Sequence, residues 1–359
     1  MKALFLIKEL AFHEPLGLMA MSAFLKQLGV DCKAFITSEE KNLMEKIKKY
    51  NPDLILFSAT TGIHKFYLEL CRQIKKEMKF ISIFGGSHPT FYPDFIEEKG
   101  VDIVVRGEVE EVLPDFIKNL KSRKSIEKTP GFWVKNKDNK IFRNEIKSYP
   151  QDLDKLPFPD RTLLKDYEYL LPKGEKFFIS NRGCPYECTY CFNSFNKKLA
   201  KGNYVRWRSP QNVIKEIKEV QKSYNIEKIN FQDDIFITNK VWLKEFLKLY
   251  REEINLPFYC HIRPDLATEE VVKDLKDSNC YCAVFGLESG NDYIRNTVLK
   301  RNMSKRDIVN ASALLRKYKV NFTTQTMMCL PDETIDMVFE TIKLSAKCKP
   351  NYINLYFFQ

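Results

Sequence analysis

Three cysteines, Cys184, Cys188 and Cys191, sit close together in the run NRGCPYECTYCFNS. The spacing C-x3-C-x2-C lets one loop aim three sulfurs at three corners of an iron–sulfur cubane, and it leaves the fourth iron without a protein ligand. An iron left open in this way can bind a reactant directly. Gly183 permits the turn into the loop and Pro185 stiffens it. A closed structural zinc site needs four ligands, usually with a second Cys pair or a His pair nearby. The four histidines, His13, His64, His88 and His261, all lie far from the loop in sequence, so zinc is the weaker reading. A ferredoxin would supply a fourth cysteine at short spacing, and none follows. Cys184, Cys188 and Cys191 are therefore the candidate metal ligands.

Downstream, ionisable groups collect at the ends of apolar runs: Asp233 and Asp234 in FQDD, His261 and Arg263 after FYC, and Glu288 in GLESG. Asp233, His261 and Arg263 are the candidate catalytic groups, and the last two are suited to orient an anionic substrate. Carboxylates at such places also serve as helix caps or solvated turn residues.

The elements that must position these groups show in the pattern. Over the first 120 residues the runs KALFLI, CKAFI, DLILFS, FISIFGG and DIVVRGE alternate with amphipathic stretches such as GLMAMSAFLKQLG. Such alternation predicts parallel strands joined by helical crossovers, an open Rossmann-like α/β sheet over residues 1–125. Ligands on these sheets bind beyond the carboxyl ends of the strands. Those ends are His13 to Gly17, Ser58 to Gly62, Gly85 to His88, and Gly107 with Glu108. The paired glycines Gly85 and Gly86 let backbone approach a nucleotide tail closely. Neither G-x-G-x-x-G nor G-x4-G-K-S/T is present, so dinucleotide and nucleoside-triphosphate sites lose support.

Residues 126–172 change character. KNKDNK between two apolar stretches reads as a hairpin, and Pro157 and Pro159 in LDKLPFPDRTLL forbid regular structure, so the segment is expected to be a linker. From residue 173 the alternation resumes with KFFIS, KINFQ, FYCHI, CAVFGLE, NFTTQTMM and NYINLYFF. Ser209-Pro210 opens one helix, and Ser304 with Asp307 resembles a capping box. Strand–helix repeats of this kind predict a partial (β/α)6 TIM-type barrel over 173–359, with its chemistry at the carboxyl ends of the strands. The chain ends on the sixth strand candidate, which reads as a short form of the barrel or as a fragment.

The 359 residues are 44% hydrophobic with a net charge of +11. Lysines are spread over helix faces, as in KEIKEVQKSY, without a basic stretch interleaved with aromatics, so no nucleic-acid partner is expected. No apolar run reaches the roughly 20 residues that span a bilayer, and Lys8 and Glu9 interrupt the first one. The cytoplasm is the expected location, and a disulfide framework is not expected. Cys32, Cys71 and Cys348 read as small apolar residues.

The run CPYECTYC resembles the signature of the radical S-adenosylmethionine (SAM) superfamily. The resemblance implies a four-iron four-sulfur cluster whose open iron chelates SAM. Reductive cleavage of SAM then gives methionine and a 5′-deoxyadenosyl radical that takes hydrogen from substrate. It also implies that Tyr190 lies beside adenine, that Asp233 and Asp234 stand where the family often has a turn for the methionine amino group, and that Glu288 and Ser289 contact ribose or the methionine end. MMCLPDET resembles the family's GLPGET-type turn, with Asp332 in place of glycine.

The stretch GGSHPTFYPDFIEEKGVDIVVRGEVEEVLPDFI resembles the cobalamin-binding domain that precedes the radical domain in one subgroup of the superfamily. That resemblance makes Ser58, Thr60, Gly85, Gly86, His88, Gly107 and Glu108 candidate cobalamin contacts. The cobalt-ligating pattern Asp-x-His-x-x-Gly is not met: His13 and Gly17 are one residue too far apart, and position 11 is not aspartate. The implied activity is methylation of an unactivated carbon, with a small-molecule or natural-product substrate and an electron donor such as flavodoxin or ferredoxin. Carbon-skeleton rearrangement, cyclisation, methylthiolation and a non-catalytic sensor are the alternatives. Methylthiolation implies three further N-terminal cysteines, whereas only Cys32 and Cys71 precede the linker.

Overall fold

The apolar runs at the head of the chain become strands β1 (Lys2–Ile7), β2 (Asp31–Ile36), β3 (Leu54–Ser58), β4 (Ile81–Gly85) and β5 (Ile103–Val105) in a computed structural model that describes residues 1–10 and 13–358. All five are parallel, in the order β2-β1-β3-β4-β5. Consecutive residues of β1 and β3 are buried, as parallel strands covered on both faces require. The crossovers include α1 (Leu16–Gln27), α2 (Leu43–Tyr50) and α3 (His64–Glu77), followed by α4 (Ser87–Phe91) and α5 (Leu113–Lys121).

The hairpin expected within the linker forms as β6 (Phe132–Lys135) and β7 (Ile141–Arg143), but it is not a linker. β6 pairs antiparallel with β5, Val104 opposite Trp133, so the hairpin extends the sheet to seven strands. An edge strand offers unpaired backbone groups, and the hairpin satisfies them. Beyond it Leu153–Lys155 forms a 3-10 turn, residues 156–160 around the two prolines have no regular structure, and Arg161–Leu170 follows as 3-10 turns. Arg161 is buried there as an ion pair with Glu14. The first compact unit comprises Met1–Lys173 with Lys198–Asn203, and the second comprises Gly174–Lys197 with Tyr204–Gln359.

In the second unit the strand candidates become β8 (Glu175–Phe178), then, past the short antiparallel pair β9 (Asn181–Arg182) and β10 (Arg206–Trp207), β11 (Lys228–Phe231), β12 (Phe258–His261), β13 (Cys280–Glu288), β14 (Asn321–Met328) and β15 (Tyr352–Phe357). The six long strands are parallel in the order β8-β11-β12-β13-β14-β15. A short α6 (Phe192–Asn196) follows the cysteine loop, and α7 (Pro210–Gln221), α8 (Lys240–Glu253), α9 (Glu269–Asp277), α10 (Lys305–Lys317) and α11 (Ile335–Cys348) are the crossovers. Phe231, Phe258 and Phe285 pack outward against Val213, Phe246 and Leu275 of these helices in one apolar core.

Local signals hold where they were read. The Ser209 hydroxyl accepts from the Asn212 amide at 3.2 Å with Pro210 in the first turn. The capping box of α10 closes, Asp307 N–H donating to Ser304 Oγ at 3.1 Å and Ser304 N–H to Asp307 Oδ2 at 2.9 Å. The fold is thus α/β, an open parallel sheet followed by a partial barrel. No helix among the described residues is long and apolar enough to cross a membrane.

Candidate active site

The cysteine loop leaves the carboxyl end of β8 through Ser180, and its first turn depends on Gly183. That residue has φ of +89°, and a Cβ there would lie 2.4 Å from the Tyr204 carbonyl oxygen. A side chain is therefore excluded twice, by dihedral and by contact. Cys184 and Cys188 are buried and Cys191 is half-buried. The three thiols act on one another electrostatically, and burial pushes Cys184 up to about 11, which backbone donation from Tyr186 opposes. Cys191 is also pushed up by burial and pulled back by the backbone and side-chain N–H groups of Asn193. N–H groups aimed at sulfur stabilise thiolates, and a bound cluster would supply the remaining charge. The chemistry of the three thiols suits such a cluster, while among the described residues no three His, Cys, Asp or Glu side chains converge as a metal-binding group.

The carboxylate of Asp233 is fully buried behind this loop. Its Oδ1 accepts from the amides of Ser180 and Asn181, both at 2.7 Å, and its Oδ2 accepts from the Ser180 hydroxyl at 3.0 Å. Burial pushes its pKa up to about 7. Its partners make it a brace for the loop. Asp234 faces the other way and accepts from Asn193 Nδ2 at 2.9 Å. Asn193 Nδ2 also lies 3.6 Å from the Cys191 sulfur, while its oxygen accepts from the Tyr204 hydroxyl.

His261 ends β12 with both ring nitrogens engaged. Nδ1 lies 3.1 Å from the Asp233 carbonyl oxygen, which can only accept, so Nδ1 carries the proton. Nε2 then accepts from the Tyr259 hydroxyl at 3.2 Å. Burial lowers the pKa of this imidazole, which keeps it neutral. Arg263 is committed as well. Its guanidinium stacks 3.6 Å from the Tyr186 ring centroid, its Nε lies 2.8 Å from Asp265, and its Nη2 donates to the Arg301 carbonyl. Orientation of an anion by this guanidinium, one expectation from the sequence, thus competes with three standing contacts.

Beyond β13, Tyr190, Glu288 and Arg301 form a buried triad. The Tyr190 hydroxyl donates to Glu288 at 2.9 Å and accepts from Arg301 Nη1 at 2.6 Å, and Arg301 lies 3.3 Å from the same carboxylate. Burial pushes Glu288 up, and Arg301 pulls it down. Glu288 has φ of +60° and folds back over Gly286, where a Cβ would lie 2.0 Å from its carboxylate oxygen. Ser289 turns away: it is fully buried, and its hydroxyl lies 3.5 Å from that of Thr341. Asn193, Arg301, Tyr186 and Tyr259 were not singled out in the sequence. Of these, Tyr186, between the first two cysteines, and Asn193, two residues past the third, carried a local signal.

On the first unit, Ser58, Thr60, Gly85, Gly86, His88, Gly107 and Glu108 all lie at or just past the carboxyl ends of β3, β4 and β5. Gly86 has φ of +97°, and a Cβ would lie 2.8 Å from the Ala59 oxygen. His88 stacks on His64 at 3.7 Å between centroids, and its Nδ1 lies 3.1 Å from the Thr61 hydroxyl. His13 is exposed and directly follows the undescribed positions 11 and 12.

Residues 178–345 match the radical SAM superfamily, and residues 5–117 match the B12 binding domain. A protein of Pyrococcus horikoshii named as an uncharacterized methyltransferase is 28% identical over 316 residues, covering 85% of this chain and 66% of its own length. The anaerobic magnesium-protoporphyrin IX monomethyl ester cyclase of Synechocystis sp. is 25% identical over 325 residues, covering 85% and 62%. The chain thus spans about two thirds or less of these relatives. Among solved structures, the radical SAM methyltransferase TsrM from Kitasatospora setae has a TM-score of 0.80 at 14% identity, covering 99% of this chain and 72% of its own. The cobalamin-dependent radical SAM enzyme OxsB has a TM-score of 0.77 at 18% identity, covering 96% and 51%. These likenesses show the shared fold, and the two matched domains imply a four-iron four-sulfur cluster, SAM and cobalamin as cofactors. The chain thus carries a radical SAM domain over residues 178–345, preceded by a B12-binding domain over residues 5–117.

Proposed function

We propose that this chain is the catalytic core of a cobalamin-dependent radical SAM enzyme that methylates an unactivated carbon. The observation that carries the reading is the union in one chain of a B12-binding domain with a three-cysteine loop at the carboxyl face of an open parallel barrel. When bound, the cluster and SAM supply a carbon radical, and cobalamin supplies a carrier for the methyl group.

The side chains bind, orient and enclose. Cys184, Cys188 and Cys191 would hold three irons, while Asp233 and Arg263 keep the loop in place through Ser180 and Tyr186. Tyr190, Asp234 and Glu288 would line the face where SAM lies, with Ser289 behind it, turned to Thr341. Ser58, Thr60, Gly85, Gly86, His88, Gly107 and Glu108 form the sheet edge suited to a cobalamin tail. His261, neutral and held at both nitrogens, lines the barrel as a polar wall. A small-molecule substrate and a one-electron donor such as flavodoxin or ferredoxin complete the reaction.

The test is anaerobic reconstitution with cobalamin, reduction, and incubation with methyl-labelled SAM and a pool of small metabolites. Label in a metabolite together with 5′-deoxyadenosine supports methylation. Ring closure is the second reading, favoured by the cyclase relative. It gives 5′-deoxyadenosine with no label transferred. Absence of 5′-deoxyadenosine overturns both.

A further inference from the structure

The inner wall of the barrel has a composition that constrains what it can hold. Ile229, Phe231, Phe258, Cys260, Ala283 and Phe322 point outward into the helix-side core. Side chains alternate along a strand, so the residues between them point into the lumen. Strand register then sorts these inward residues into belts. The lowest carries Phe177, Asn230, Tyr259 and Cys282, each opposite the next on neighbouring strands. The next carries His261, Val284, Thr323 and Tyr352, and above it lie Gly286, Gln325 and Asn354. Gln232 continues β11 beside His261.

These belts contain amides, hydroxyls, a thiol and a neutral imidazole, and they contain no cation and no carboxylate. The charges beside the belts are paired: over Gly286 the Glu288 carboxylate lies 3.3 Å from Arg301, and at the floor Glu175 is paired with Lys228 at 3.2 Å and accepts from Asn230 Nδ2 at 3.0 Å. Asn230 in turn accepts from Gln232 Nε2 at 2.7 Å. The side-chain amides of Gln325 and Asn354 make no hydrogen bond among the described residues. Gln232, Tyr259, His261 and Gln325 are all only half-buried, so the wall is open to a ligand.

We propose that the lumen wall selects an uncharged substrate moiety rich in hydrogen-bond donors and acceptors, amide- or hydroxyl-bearing, over an anionic or purely apolar one. The proposal rests on the barrel being the seat of the radical chemistry. An anion finds only cations already paired with a carboxylate, Arg301 with Glu288 and Lys228 with Glu175. An apolar guest strips water from the Gln232, Gln325 and Asn354 amides and offers nothing in return.

The test is equilibrium dialysis of the cluster-loaded chain with SAM against three indoles of similar size: N-acetyl-L-tryptophanamide, indole-3-acetate and 3-ethylindole. The amide is expected to be retained about tenfold better than either of the others, the equivalent of one hydrogen bond. Replacing Gln232→Leu with Gln325→Leu is expected to remove that advantage, with iron per chain confirming the fold. Gln325→Lys is a second variant, and it is expected to raise retention of indole-3-acetate by a similar factor. Equal or better retention of the anion or the apolar indole by the unmodified chain, retention of none of the three, or an advantage untouched by the Leu pair overturns the proposal. Absence of selectivity in the unmodified chain with 5′-deoxyadenosine release intact overturns this proposal alone. Selectivity without 5′-deoxyadenosine overturns the radical reading instead.

Discussion

The carboxylate of Asp233 grips Ser180 twice, taking its backbone N–H at 2.7 Å and its hydroxyl at 3.0 Å. The carboxyl end of β11 thereby fixes the residues that lead into the cysteine loop. The arrangement has a pH signature. Burial pushes Asp233 from 3.8 up to about 7, so between those values the folded chain binds more protons than the unfolded one. Stability then falls as pH rises through that window and is level above it, by on the order of 4 kcal/mol. Asp233→Asn keeps an oxygen for the two amides and removes the titration. Urea unfolding at pH 4.5 and 7.5 is expected to show the variant gaining on the unmodified chain at the higher pH. Parallel pH profiles for the two would refute the assignment.

Asn193 links the metal loop to Asp234 through one side-chain amide, with the Cys191 sulfur at 3.6 Å and the carboxylate at 2.9 Å. Hydrogen bonds to cluster sulfur favour the reduced form. Asn193→Leu is expected to lower the cluster midpoint potential by up to about 40 mV, the equivalent of roughly 1 kcal/mol for one electron, with iron content retained. Potentiometric titration followed by electron paramagnetic resonance reads the shift. An unchanged potential in a fully loaded variant would show the bond to be incidental.

Glu288 and Arg301 are both nearly inaccessible, at 8% and 9% side-chain exposure. Removing one charge strands the other, and breaking such a buried pair typically costs about 3 to 5 kcal/mol. Arg301→Met is expected to destabilise the chain by that amount, and Arg301→Met with Glu288→Leu is expected to recover most of it. Denaturant unfolding of the two singles and the double closes the cycle. Additive losses would mean that the pair does not act as a unit. Tyr190→Phe loses the phenol and keeps the ring, so it is expected to cost only about 1 kcal/mol.

The parallel strands of both units were legible as short apolar runs, the two-residue β9 and β10 were not, and the cysteine loop was legible because its ligands are close in sequence. The hairpin at Phe132–Arg143 was legible as a hairpin but not as sheet, since antiparallel patterning does not say which edge it will join. Arg301 was invisible for a similar reason. Its partner Tyr190 lies 111 residues away, and only the close approach of β13 to the cysteine loop brings them together. His64 and His88 stack only because β3 and β4 end side by side. His261 was legible as a strand-end residue, whereas its fixed tautomer depends on a carbonyl contributed by another strand end.

Two glycines separate the two cofactors experimentally. Gly86 has φ of +97°, and a Cβ would meet both Ala59 backbone atoms within 2.9 Å. Gly183 has φ of +89° and stands against the Tyr204 carbonyl. Each is a backbone position that alanine occupies only with strain of about 1 to 3 kcal/mol and a local shift of the loop. They lie in different compact units, so the shifts should not propagate to each other's site. Gly86→Ala is expected to lose cobalamin and keep its iron and sulfide, and Gly183→Ala to lose iron and sulfide and keep cobalamin. Absorption spectra with iron, sulfide and cobalt analysis after one reconstitution decide both. Full cobalamin retention by Gly86→Ala would remove that sheet edge from the cofactor site, and full cluster retention by Gly183→Ala would mean that the loop tolerates a turn the Tyr204 contact forbids.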